Sequence, residues 1–363
     1  MKIIVLTAFY PIPNGTHDRM FVHVRNLYYK SQGADVTVLN FDSSNDYIID
    51  QIRVITLKTF KLENQHYDIA ISHSANLRNH YFFLKKYADS FKHLAFFFHG
   101  HEVLYLNRDY PKSYQYMCTG GQLKKILQDM YDWLKINLWK NYYKKLASKS
   151  YFIFVSNWLL DHYKLNSGIK EENLLNHILV INNSVGEEFE NNEYDFNSEK
   201  KYDFISIRSN IDGSKYCVDI IAKYAQINPD KTFLLIGQGR FFNNYSKPDN
   251  LIWINQTINH SEMLHYLDES RCGLMPTRED TQGVMTCEMM EYGMPVITSD
   301  ISVCKEFFSC VNNVKLISND KVEDIVGISD QLFSNLPYKK PNLYIKNKTM
   351  KRELEIIRKL CEE

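Results

Sequence analysis

The chain has 363 residues, enough for two domains of ordinary size, and 44% of them are hydrophobic against 24% charged, which excludes wholesale disorder. Its 43 Lys and Arg balance 43 Asp and Glu, so the formal net charge is zero and there is no electrostatic footprint for nucleic acid. The 7 cysteines are odd in number and form no CxxC pair, which gives neither a disulfide framework nor a zinc site and fits a reducing cytosol.

In chain order, the first apolar run is Ile3–Phe9. It follows Lys2 and stops at Tyr10, Pro11, Ile12 and Pro13 with no small-residue cleavage site, so it reads as a buried strand entering a loop. Residues Arg19–Gln32 place Phe21, Val24, Leu27 and Tyr28 on one helical face, with Gly33 as the stop. Val36–Asn40, Tyr67–Ser72, Leu94–Phe98 and Tyr151–Val155 are continuous apolar runs, the pattern of strands buried on both faces of a parallel sheet. Residues Gln122–Ser150 hold seven lysines and two aspartates, interleaved with aromatic and aliphatic residues. Such a helix either packs its apolar face on the sheet or lies on anionic lipid.

Glu187–Lys201 is polar and reads as a linker, after which the strand–helix alternation restarts. Phe204–Ile207, Thr232–Ile236, Leu251–Ile254, Cys272–Met275 and Pro295–Thr298 read as strands. Lys215–Gln226, Ser261–Leu267 and Val284–Tyr292 read as the helices among them, and a basic amphipathic helix closes the chain near Tyr344–Leu360. The expected fold is α/β, two doubly wound Rossmann-like domains facing a central cleft. The first spans 1–185, the second spans 186–343, and the helix at about 344–363 is placed to pack back on the first. No run of about 18 apolar residues exists, so no membrane span is expected.

Chemistry concentrates after the run Cys272–Met275. A polar loop there carries Asp280, Gln282 and Gly283, and a helix starts at Val284 with Glu288 one turn inside. Helix-start amides suit a diphosphate, and carboxylates eight residues apart can hold hydroxyls on two parts of one ligand. The plainer reading is a capping Asp280 and a salt-bridged Glu288. Arg208 and Lys215 flank a loop after the first strand of the second domain, a planar fork and a mobile point charge suited to a pyrophosphate, or simply a solvated face. Gly237 and Gly239 end the next strand. In the first half His99, His101 and Glu102 follow a buried strand, where a histidine can serve a sugar or merely end the strand; no distant ligand completes a metal site.

The segment from Asp280 through Glu288 to Asp300 resembles the acid-x7-Glu signature of the retaining, group 1 (family 4) glycosyltransferases of GT-B fold. In that pattern the first acid touches the donor sugar and the second Glu holds the ribose. This sequence departs from it by having Asp280 where Glu is usual, with Glu279 one residue early. The resemblance implies that Arg208 and Lys215 are the diphosphate pair, that Gly237 and Gly239 are the Gly-x-Gly of the next strand, and that His99 lies near the donor sugar with His101 in reserve. It implies that Gly15 lies in the glycine-containing loop over donor and acceptor. Val155-Ser156 and the Val180–Val185 stretch, with Ser184 for the usual Gly, match architectural positions. Catalysis is then expected of His99, Asp280, Arg208 and Lys215, and donor binding of Gly15, Gly237, Gly239, Gln282, Gly283, Val284 and Glu288.

No metal or cofactor is expected; the donor is a nucleotide-diphosphate sugar, by family weight a UDP-sugar. The acceptor is a glycan or lipid-linked saccharide of bacterial cell-surface polysaccharide synthesis. The expected place is the cytoplasm, peripherally on the inner membrane face if residues 122–150 bind anionic lipid. Two rivals stand beside this reading: a sugar-nucleotide epimerase of the same fold, whose proton-transfer pair would come from His99, His101 and Glu102, and a catalytically silent binding protein, which only the Asp at 280 favours.

Overall fold

Continuous apolar runs become parallel strands, because residues buried on both faces of a sheet need no polar alternation. A computed structural model describes residues 1–13, 19–118 and 121–362 and divides the chain into two units. One is Met1–Leu106, Ile126–Ser184 and Lys346–Glu363; the other is Asn107–Lys125 and Val185–Ile345. Residues 107–125, which the sequence reading leaves in the first domain, therefore pack with the second.

The first unit contains β1 (Lys2–Thr7), β2 (Asp35–Asn40), β3 (Tyr47–Ile49), β4 (Ile52–Ile55), β5 (Ile69–His73), β6 (His93–Phe98), β7 (Ser150–Phe154) and β8 (Ile178–Val180). They form one sheet in the order β3-β4-β2-β1-β5-β6-β7-β8, parallel except for the hairpin of β3 and β4. The helix Met20–Ser31 crosses from β1 to β2 and buries Val22 and Tyr29. The long helix Gln122–Leu146 packs its carboxyl-terminal half on the sheet, with the Tyr143 ring 4.8 Å from Phe96 and 5.4 Å from Phe152.

The helix Met350–Glu362 joins the core of this unit through Leu354, Ile357 and Leu360. A buried ion pair fixes it: Arg25 Nε lies 3.2 Å from Glu353 Oε2, and the Tyr29 hydroxyl donates to the same carboxylate. Arg25 also donates to Asn183 Oδ1 at 2.9 Å and to the Phe21 carbonyl at 3.1 Å, so its charge is enclosed by acceptors.

The second unit contains β9 (Tyr202–Asn210), β10 (Phe233–Gln238), β11 (Leu251–Ile254), β12 (Ser270–Met275), β13 (Val296–Ser299) and β14 (Val314–Ile317). All are parallel, in the order β11-β10-β9-β12-β13-β14. This is the doubly wound order whose strand sequence reverses between its first and fourth members, here β9 and β12. Residues 187–201 are not a free linker. Glu187–Asn191 is helical, and Phe189 and Tyr194 are buried, Phe189 with its ring 5.3 Å from that of His260. Among the described residues no helix is long and apolar enough to cross a membrane.

Candidate functional site

The crevice beyond the carboxyl ends of β9 and β12 is where a doubly wound sheet offers a ligand its loops. Arg208, near the end of β9, is buried; its guanidinium donates to the Pro276 carbonyl at 2.6 Å, while Nε has no hydrogen-bond partner among the described residues. Lys215 stands in the turn Ser214–Tyr216, its ammonium 4.9 Å from the centre of the Tyr216 ring. Burial pulls its pKa down, but the nearby Tyr216, Asp280 and Glu279 outweigh that and raise it, so the cation is secure.

The loop after β12 is tied to the loop after β9. The Lys215 carbonyl accepts from the Arg278 amide at 2.9 Å and the Thr277 hydroxyl at 3.0 Å. Arg278 forks onto Asp219, at 2.9 and 2.6 Å, and reaches the Ser214 carbonyl at 2.9 Å. On its other side, the Thr277 amide donates to Ser299 Oγ at 2.8 Å.

Within this loop Asp280 Oδ1 accepts from the Thr281 amide at 2.8 Å and the Gln282 amide at 3.4 Å, so it shapes the turn before the helix rather than capping the helix itself. The N-cap is Gly283 at φ 72°, a left-handed position that glycine tolerates best. Gly283 brings no side chain to the first amides of the helix Val284–Tyr292. Glu288 is buried on that helix; its Oε1 accepts from the Gly186 amide at 3.1 Å and lies 3.9 Å from His260 Nε2. Burial raises its pKa and His260 opposes the rise.

Glu279 is only 6% exposed and its Oε2 has no hydrogen-bond partner among the described residues. Burial pushes its carboxyl up to about 8, against the pull of Lys215 and with help from Asp280 and Asp109. At Gly237 a Cβ would come within 2.3 Å of the Arg208 carbonyl, and at Gly239 within 2.5 Å of Ile211 Cγ1, so both glycines let the end of β10 approach the end of β9. Arg208, Lys215, Gly237, Gly239, Asp280, Gln282, Gly283 and Val284 thus share the loops at one end of this sheet, with Glu288 farther along the same helix.

His99 belongs to the first unit, just after β6. Its Nε2 lies 3.1 Å from Nδ1 of His73 at the end of β5, and its ring is 4.6 Å from that of Phe21. Burial first, then the charges of His73, Arg25 and Arg19, hold His99 neutral. Glu102 accepts from the His99 amide at 3.1 Å and the Gly100 amide at 2.7 Å, so its carboxylate braces the loop. His101 is exposed and its carbonyl accepts from Lys135 Nζ at 2.7 Å. Gly15 lies outside the described residues. Among the described residues no group of three or more His, Cys, Asp or Glu is arranged to hold a metal ion.

Sequence reasoning missed several partners. His73 carried a signal, a histidine closing an apolar run, and it is the residue that orients His99. Tyr114 and Tyr116 carried none. Their hydroxyls donate to Asp219 at 2.7 Å and Asp212 at 2.6 Å, and their rings gather around Phe241 and Tyr245.

Residues 204–335 match the family described as "Glycosyl transferases group 1". No curated protein matches the sequence. Among solved structures, sucrose-phosphate synthase from Thermosynechococcus elongatus superposes with a TM-score of 0.70 at 12% identity, covering 99% of this chain and 98% of its own. A glycosyltransferase from Rickettsia africae gives 0.66 at 14% identity over 99% and 98%. HepE from Anabaena, in complex with UDP and glucose, gives 0.65 at 13% identity over 100% of both chains. At such identities the likeness establishes the fold. Residues 204–335 thus carry the likeness to the group 1 glycosyltransferases, within a chain of the two-domain GT-B fold.

Proposed function

We propose that the protein is a retaining glycosyltransferase that moves a sugar from a nucleotide-diphosphate donor to a glycan or lipid-linked acceptor in bacterial cell-surface polysaccharide synthesis. The observation that carries this is the convergence of Arg208, Lys215 and the amides starting the helix Val284–Tyr292 where the strand order of the group 1 domain reverses. Those groups are the right chemistry for a diphosphate: a planar fork, a secured ammonium and the amides of a helix start that has no side-chain cap. Glu288 is assigned the ribose hydroxyls and Asp280 the donor sugar. UDP is the proposed carrier, the nucleotide bound in HepE.

As the bond to the sugar breaks, negative charge grows on the leaving diphosphate. Arg208, Lys215 and the helix-start amides stabilise it in place, the part a metal ion plays elsewhere. The sugar is taken to be attacked on the face the diphosphate leaves, which retains configuration without a protein nucleophile. The first unit is assigned the acceptor, with His99 as its candidate residue. The epimerase rival is the weaker reading, because it needs an available acid–base pair and both Glu102 oxygens are engaged by backbone amides.

The test is a thermal-shift and turnover panel over UDP, GDP, ADP and dTDP and their sugars, with EDTA present throughout. A UDP-selective rise in Tm and turnover under chelation are expected. Replacing Arg208 and Lys215 by Ala should weaken UDP binding by about 1.5–3 kcal/mol per contact and leave uridine binding nearly unchanged. Equal UDP affinity in the double variant would remove the diphosphate assignment, and turnover restored only by added magnesium would remove the metal-free scheme.

A further inference from the structure

The helix Gln122–Leu146 has two apolar faces where its place on the sheet explains one. Its inner face buries Ile136, Trp139, Tyr143 and Leu146. A surface helix of a globular protein turns polar residues to the opposite side. Here the amino-terminal half does the reverse. Leu123, Ile126, Leu127, Met130, Trp133 and Leu134 are all exposed, Met130 at 62% and Trp133 at 59%. Their spacing of three and four residues aligns them in a single stripe.

The same outward face changes character along its length. Lys144 and Lys145 stand eighteen residues beyond Ile126 and Leu127, five whole turns at 3.6 residues each, and so continue the line of the stripe. Both are exposed, as are Lys124 and Lys125 at the other end, against Asp129 as the one exposed acid of this helix. Two interfacial aromatics, Tyr131 and Trp133, lie with the apolar part. A greasy half followed by a cationic half on one face, with exposed aromatics in the greasy half, is complementary to a bilayer surface whose headgroups are anionic.

We propose that this outward face docks the protein on an anionic membrane, the stripe from Ile126 to Leu134 entering the headgroup–acyl boundary and Lys144 and Lys145 resting on the headgroups. The helix lies in the plane of the interface and does not span it. The inference needs no catalytic assignment, and its test involves neither donor nor turnover, so it fails or stands apart from the proposed transferase activity.

The experiment is co-sedimentation of the full chain with vesicles of phosphatidylcholine alone and of phosphatidylcholine with phosphatidylglycerol, together with quenching of Trp133 fluorescence by acrylamide. Binding is expected only to the anionic vesicles, falling steeply with salt and shielding Trp133. Lys144→Glu with Lys145→Glu should weaken the partition by about thirty-fold or more. Ile126→Ser, Met130→Ser and Leu134→Ser together should weaken it by about tenfold or more, with circular dichroism and Tm unchanged because none of the three is in the core. Met130→Glu with Trp133→Glu is the independent second variant. Absence of binding at low salt overturns the proposal, as does binding indifferent to the serine variant. A concentration-dependent dimer that the serine variant dissociates would overturn it too, by assigning the stripe to a second copy of the chain.

Discussion

Glu279 is an acid enclosed among acids. Burial away from water holds its proton up to about 8 although Lys215 pulls the other way, and Asp280 and Asp109 add to the rise. An unfolded chain would release that proton near the ordinary carboxylate value, so between the two the folded state binds more protons than the unfolded state. The contribution of Glu279 to stability is therefore fully present below about pH 4.5 and is lost as pH rises towards 8. At about 1.36 kcal/mol per pKa unit the swing is on the order of a few kcal/mol. Glu279→Gln should flatten it: relative to the parent protein, the variant gains Tm on going from pH 5.5 to pH 8.5, as calorimetry would read. Parallel Tm curves for the two proteins would show that Glu279 is ionised throughout.

At the scale of elements, the segment before the long helix acts as a brace. Tyr116 holds Asp212, whose Oδ1 also accepts from the Arg240 amide at 2.8 Å, and Tyr114 holds Asp219, which grips Arg278. Two hydroxyls thereby link the loops after β9, β10 and β12, the loops proposed to carry the diphosphate. Neither tyrosine is assigned a substrate contact, so Tyr114→Phe with Tyr116→Phe should act on binding rather than chemistry. We expect KM for the donor to rise about tenfold with kcat little changed, the size of one or two hydrogen bonds to charged groups. Steady-state kinetics decides it, and an unchanged KM would reduce the segment to packing. The sequence made elements with a clear run or a clear stop legible, since β11 is the apolar run Leu251–Ile254 and the helix Val284–Tyr292 begins at the Gly283 break. The three-residue strands β3 and β8 were not, because so short a run has no period to read. Side-chain partners far apart in the chain were equally hidden. Arg278 meets Asp219 59 residues away and His99 meets His73 26 away, pairings that only the sheet order creates.

At the scale of the whole molecule, the chain leaves and re-enters the first unit twice, last through the helix Met350–Glu362. That return is electrostatic as well as apolar, because Glu353 is fully buried beside Arg25. Glu353→Gln should destabilise the protein by about 3–5 kcal/mol in urea, while Arg25→Met with Glu353→Leu recovers most of the loss, as removing both charges of a buried pair does. Equal destabilisation by the single and double changes would mean that packing, not charge, fixes the helix. The pair also sets an order of assembly. On a ribosome Arg25 emerges early and its counterion 328 residues later, after the entire second unit has been made. The first unit is thus begun before the second and completed after it, against the usual direction of domain-by-domain folding. A nascent chain interrupted anywhere before Glu353 carries an open seam along the helix Met20–Ser31, with a guanidinium in it that water must keep solvating. Products that stop short of the helix Met350–Glu362 then expose that seam to proteases, whereas a chain that includes it is closed there.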